Sequence, residues 1–208
     1  MKPTDPSAMS ADAFHAGLAA HESWRDSGLA MLRSSDLIWP KVFDGFLQLH
    51  QHAAAVREAS GGGMRPNDER LGMIVTPPIL MDGLKEFSGY CNAYLMNAGY
   101  AVENLLKAVR IKRLVLAGRK IEFGNSPNQV PSTHTYEIMA RRELGTLSAE
   151  ETVLLRRLSL YTRWAGRYPM AKEPPPLIEA NGRAIMTNDR ESIHAVCQRL
   201  TEKYESLK

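Results

Sequence analysis

The chain has 208 residues, 44% hydrophobic and 24% charged, with a formal net charge of +3, a composition that fits one globular domain or one domain with an extension. No apolar run reaches the ~20 residues of a membrane span, and the start Met1-Lys2-Pro3-Thr4-Asp5-Pro6 lacks the apolar segment of a secretory signal. Cys91 and Cys197 are too few and too far apart for a disulfide framework or metal cluster, so a cytoplasmic chain with two buried free thiols and no membrane partner is the expectation.

The charge is unevenly spread. Residues 1–104 carry 8 Lys/Arg against 12 Asp/Glu, residues 105–172 carry 13 against 5, and residues 173–208 carry 5 against 6. The middle segment is therefore +8 between neighbours of −4 and −1. Such a segment either attracts phosphates or forms a solvated basic face.

In chain order, helical periodicity first predicts a helix from about Ala11 to Leu32, then another after Pro40 that carries Val42, Phe43, Phe46 and Leu47. Ser60-Gly61-Gly62-Gly63 through Asp68 reads as a loop. The strongest stripe follows: Phe87, Cys91, Tyr94, Leu95, Ala98, Val102, Leu105, Leu106 and Val109 recur on one face at period 3.6. This is the predicted central helix, opening after Pro77-Pro78 and closed by Gly118. Glu103 and Lys107 form an i,i+4 pair on its flank, a contact of a few tenths of a kcal/mol when exposed.

Thr133 or Thr135 is placed to cap a short helix through Tyr136, Ile138, Met139 and Leu144, with Gly145 in its closing turn. Ser148-Ala149-Glu150-Glu151 matches a capping box ahead of Val153, Leu154, Leu155, Leu158 and Tyr161, in a helix ending near Gly166. Asn181-Gly182, between Leu177-Ile178-Glu179-Ala180 and Arg183-Ala184-Ile185-Met186, predicts a small β-hairpin. A last helix, capped by Thr187 or Asn188, carries Ile193, Val196, Cys197, Leu200 and Tyr204 on its apolar side.

Glycine-rich phosphate loops, Cys-x-x-Cys pairs, His-Glu-x-x-His and Gly-x-Ser-x-Gly are all missing, so the sequence offers no cofactor and no metal site. His50 and His52 point about 200° apart on a helix and cannot share an ion. His194 shares a helical face with Arg190. His134 precedes a helix start, where an imidazole either caps and packs or acts as a proton shuttle beside an acid or a phosphate.

The run Ala98-Gly99-Tyr100-Ala101-Val102-Glu103-Asn104-Leu105-Leu106-Lys107, then Thr133-His134-Thr135-Tyr136-Glu137-Ile138-Met139-Ala140, the Ser148 helix and Trp164-Ala165-Gly166-Arg167-Tyr168-Pro169 together resemble the HEPN family of small helical bundles. The resemblance covers about residues 85–172. It implies one all-α domain, an antiparallel helical bundle with a HEPN-like core at 85–172. An N-terminal helical elaboration at 1–84 precedes that core, and the hairpin and last helix at 173–208 follow it. It also implies a function class, because the family includes metal-independent ribonucleases of toxin and defence systems. Other members bind nucleic acid or nucleotides without cutting, beside a nucleotidyltransferase or antitoxin, and such bundles commonly form homodimers with a positive cleft. The ribonucleases carry Arg-x4-6-His, and here no Arg is followed at that distance by His; Arg190 and His194 are separated by three residues.

Lys107, Arg163, Arg167 and Tyr168 are thus candidates for phosphate binding, a guanidinium pairing with the phosphate while a base stacks on an aromatic ring. The competing reading makes Arg167 the partner of Glu103 in a buried ion pair that locks two helices together. His134 is the one catalytic candidate. The functional expectation is a HEPN-like protein binding RNA or nucleotide phosphate. A structural or interaction bundle is the alternative, and a ribonuclease with His134 as base comes after both.

Overall fold

The computed structural model describes residues 20–59, 78–124, 126, 128–132, 134–165 and 185–208. Five α-helices dominate them: α1 (His21–Ala59), α2 (Pro78–Leu116), α3 (Tyr136–Leu144), α4 (Ala149–Leu160) and α5 (Asp189–Ser206). Between α2 and α3 lie two two-residue strands, β1 (Phe123–Gly124) and β2 (Val130–Pro131), paired in parallel with Phe123 opposite Val130.

The centre is α2. From Tyr94 to Leu114 it is buried on almost every side, and every position of the sequence stripe except half-buried Phe87 lies in the core. Its start and its closure follow the proline and glycine signals. Gly118, at φ 63°, lets its own N–H reach the Val115 carbonyl at 2.9 Å and that of Arg119 reach Leu114 at 2.9 Å, the double bond that terminates a helix through a left-handed residue.

Where two helices were expected on either side of Pro40, α1 is one helix of 39 residues with Pro40 inside it. An interior proline removes the hydrogen bond to the carbonyl four residues back and costs ~3 kcal/mol. Packing against α2 overrides that cost: the Trp39 ring lies 4.9 Å from that of Tyr94, Val42 is fully buried, and the Phe46 ring meets Phe87 at 5.4 Å. The stretch 11–19 of the predicted first helix lies outside the described residues, as does the loop at 60–68.

The Ser148 box forms as the sequence predicts: Glu151 N–H donates to Ser148 Oγ at 3.0 Å, and Ser148 N–H donates to Glu151 Oε2 at 2.8 Å. After Leu160 the helix widens into a π-helical turn, Tyr161–Ala165. Thr135 takes the predicted N-cap position of α3, although its side chain does not cap the helix. Its work is done from another helix, since Tyr136 N–H donates to Ser159 Oγ at 3.0 Å. In α5 all five expected apolar positions are buried, Asn188 takes the N-cap position without a side-chain cap bond, and Asp189 Oδ2 accepts from the Met186 N–H at 2.7 Å. Both cysteines are free and buried, and burial pushes the Cys91 thiol up to about 11 and the Cys197 thiol up to about 12.

The predicted hairpin around Asn181-Gly182 lies outside the described residues. The strand pair that is seen sits instead at 123–131, which alternation had not singled out. No helix among the described residues is long and apolar enough to cross a membrane.

Candidate functional site

Glu103, in the middle of α2, is a buried carboxylate that holds three side chains at once. Its Oε1 accepts from Lys107 Nζ at 2.6 Å, one turn further along the same helix. Oε2 accepts from His134 Nδ1 at 2.7 Å and from the Tyr136 hydroxyl at 2.9 Å. The Tyr136 hydroxyl also lies 2.8 Å from Thr162 Oγ1, at the start of the π-helical turn. Glu103 of α2 thus meets the residues entering α3 directly, and the turn after α4 through the Tyr136 hydroxyl.

The sequence places Glu103 and Lys107 as an i,i+4 pair on the flank of the helix, worth a few tenths of a kcal/mol, and the structure buries that pair. The two side chains are 6% and 12% exposed, so the weak surface value does not apply. Burial on its own would raise the Glu103 carboxyl, but the Lys107 charge and hydrogen bond, with His134 behind them, hold it below the usual carboxylate range. Burial and the nearby carboxylate push the Tyr136 phenol far up, so it stays a donor. An ionised carboxylate only accepts hydrogen bonds, which places the His134 proton on Nδ1 and leaves Nε2 with a lone pair in the neutral ring. The His134 side chain is 29% exposed. Among the described residues, no bond to Nε2 competes with a ligand.

Close packing fixes this geometry. A methyl group on Gly99 would lie 2.5 Å from Thr162 Cγ2 and 3.3 Å from the Leu158 carbonyl, so only glycine lets α2 approach the end of α4 this closely. Thr162 is fully buried and bonds the Leu158 carbonyl at 3.1 Å, which stops it from turning away. The Lys107 ammonium also lies 4.9 Å from the centroid of the Trp24 ring of α1, a cation–π contact that helps to hold the amine.

Among the described residues, Arg163 connects to this group only through Ser159. Its Nε donates to the Ser159 carbonyl at 3.2 Å, and the hydroxyl of Ser159 caps Tyr136, two residues after His134. The Arg163 side chain is exposed. Arg167 and Tyr168 lie outside the described residues, so the expected Glu103–Arg167 pair does too; the partners that the described residues give Glu103 are Lys107, His134 and Tyr136. Sequence reading missed Tyr136, Ser159, Thr162 and Trp24 as members of the site. The first three occupy helix positions that read as ordinary core or helix surface, and Trp24 is separated from Lys107 by more than eighty residues.

Other ionic groupings staple the helices. Arg190 Nε and His194 Nε2 both meet Asp36 Oδ1 at 2.9 Å, which joins α5 to α1 and accounts for their shared face. Arg157 and Asp189 form a buried pair between α4 and α5. No group of three or more His, Cys, Asp or Glu among the described residues is arranged to hold a metal ion. No family model, curated protein or solved structure matches the chain.

Proposed function

We propose that the chain is a HEPN-like bundle that binds RNA or a nucleotide through its phosphates, at the corner formed by His134 and Arg163. The observation that carries this reading is the Glu103-anchored imidazole. A buried carboxylate 2.7 Å from Nδ1 holds the ring through that nitrogen and leaves Nε2 for a ligand, and the exposed Arg163 guanidinium, on the turn that follows α4, is suited to a forked contact with a phosphate. Lys107 adds positive potential, but its charge is already matched by Glu103, so direct contact falls to the other two.

Fluorescence anisotropy with a single-stranded RNA oligonucleotide tests the reading. Affinity is expected to fall steeply as salt rises from about 50 to 200 mM, and Arg163→Ala and His134→Ala are each expected to weaken binding at low salt. RNA affinity that is absent at the lowest salt, or indifferent to both changes, removes the proposal.

A second reading is favoured by the same geometry. An imidazole oriented through Nδ1 by a carboxylate is the arrangement of a general base, which would let His134 take the 2′-hydroxyl proton of RNA in metal-independent cleavage. Cleavage in the presence of a chelator, lost in His134→Ala with RNA binding retained, is its signature. The interaction reading rests on different residues, Phe43 and Leu47 on α1, which are 47% and 45% exposed. Within it the partner is a second copy, an antitoxin or a nucleotidyltransferase, and sedimentation of the purified chain tells the homodimer from the rest.

A further inference from the structure

A second cluster of positive charge lies at the other end of the middle segment, where α2, α3 and α5 all run out. Glu143, in the last turn of α3, is buried there with its side chain 2% exposed. Arg110 Nη1 lies 3.7 Å from its Oε1 and Arg113 Nη1 lies 3.3 Å from its Oε2. Arg142 and Lys203 also act on this carboxylate through their charge, and Arg142, Arg113 and Arg119 act on Arg110. Four cations thus act on one acid, and a fifth, Arg119, acts on Arg110 beside it.

Helix ends explain part of this excess. Each C-terminus carries roughly half a negative charge, so three of them with Glu143 offset about 2.5 of the five positive charges. Two further features mark the same excess. Arg142 Nη1 is buried and meets no acceptor among the described residues. Arg110, although beside Glu143, has its guanidinium disfavoured by burial first and then by the like charges of Arg142, Arg113 and Arg119. Burial pushes the Glu143 carboxyl up against all four of its cationic neighbours, so the acid is a poor match for the charge around it.

We propose that this end of the bundle is an anion site that takes a phosphate group, with Arg113 and Arg142 gripping it, Arg110 beneath, and Lys203 and Arg119 at its margin. Arg113 is open enough to reach a ligand, its side chain being 36% exposed, and guanidinium forks suit the tetrahedral oxygens of a phosphate better than a lysine point charge does. The site rests on the RNA-phosphate reading only for the source of its ligand: a phosphodiester of RNA or the terminal phosphate of a nucleotide.

Inorganic phosphate titrated against chloride at constant ionic strength, followed by calorimetry and by the melting temperature, tests the site alone. Saturable binding is expected for the unmodified chain, weakened at least fivefold in Arg142→Gln and in Arg113→Gln. The second variant changes a partly exposed side chain and so keeps the test valid if the first fails to fold. Phosphate stabilisation equal in all three proteins overturns the proposal. With RNA as the probe, each variant is expected to lower the salt slope by about one if the backbone is the source. An unchanged slope with phosphate binding lost in the variants supports the site and assigns it to a nucleotide. Phosphate binding without any RNA affinity keeps this site and removes the RNA reading.

Discussion

Glu103 shows how one residue's meaning depends on what surrounds it. In the sequence it is half of an i,i+4 pair, and in the fold it holds an ammonium, an imidazole and a phenol at once. No spacing rule reaches His134, 31 residues on, or Thr162, which steadies the phenol from another helix. Gly99 is the residue on which this convergence depends. Gly99→Ala gains up to ~1 kcal/mol of helix propensity but drives a methyl into a Thr162 that has no room to move, an overpacking that costs ~1–3 kcal/mol. A net loss of about 1 kcal/mol in denaturant unfolding is expected, with His134 losing its fixed orientation. A more stable Gly99→Ala protein would show that the approach of α2 to α4 is looser than described.

At the level of elements, local signals held where backbone chemistry decides and failed where packing does. The Ser148 capping box and the left-handed Gly118 and Gly145 lie where the sequence puts them, because each satisfies backbone groups that no other residue can reach. Pro40 was read as a break and is not one, since the aromatic and apolar contacts of α1 with α2 outweigh one missing hydrogen bond. The cap of α3 came from Ser159, outside the local sequence window altogether. Ser148→Ala is expected to cost about 1 kcal/mol and more than a simple cap, because Glu151 of the same box also pairs with Arg199 of α5. A double-mutant cycle with Arg199→Ala checks the coupling: additive losses would mean that cap and staple act independently.

For the whole molecule, pH is the variable that exposes the buried charges. Glu103 titrates below its ordinary value near 4.5, so its contribution to stability is complete above that value and is lost as pH falls through the depressed folded-state value. Glu143 and Asp189 are shifted up, by burial foremost; they bind protons more readily when folded and therefore favour the folded state as pH falls. The opposing signs partly cancel in the unmodified chain, so the comparison must be between variants. Glu103→Gln is expected to melt lower at pH 7 and to lose less on going to pH 3 than the unmodified protein does. An equal drop in both would mean that Glu103 is not ionised against Lys107 and His134 in the fold.

By itself the sequence determined the helical character, the central place of α2, the buried cysteines, the capping box and the helix-closing glycines. Each of these depends on periodicity or on backbone bonds spanning a few residues, which a linear reading captures. Only the tertiary structure decided that α1 runs through Pro40, that Glu103 is shared by Lys107, His134 and Tyr136, and that Arg110 and Arg113 of the basic middle segment lie against Glu143. Those outcomes depend on distances between residues tens of positions apart. Burial then sets the strength of their charges, and burial is not encoded at any one position.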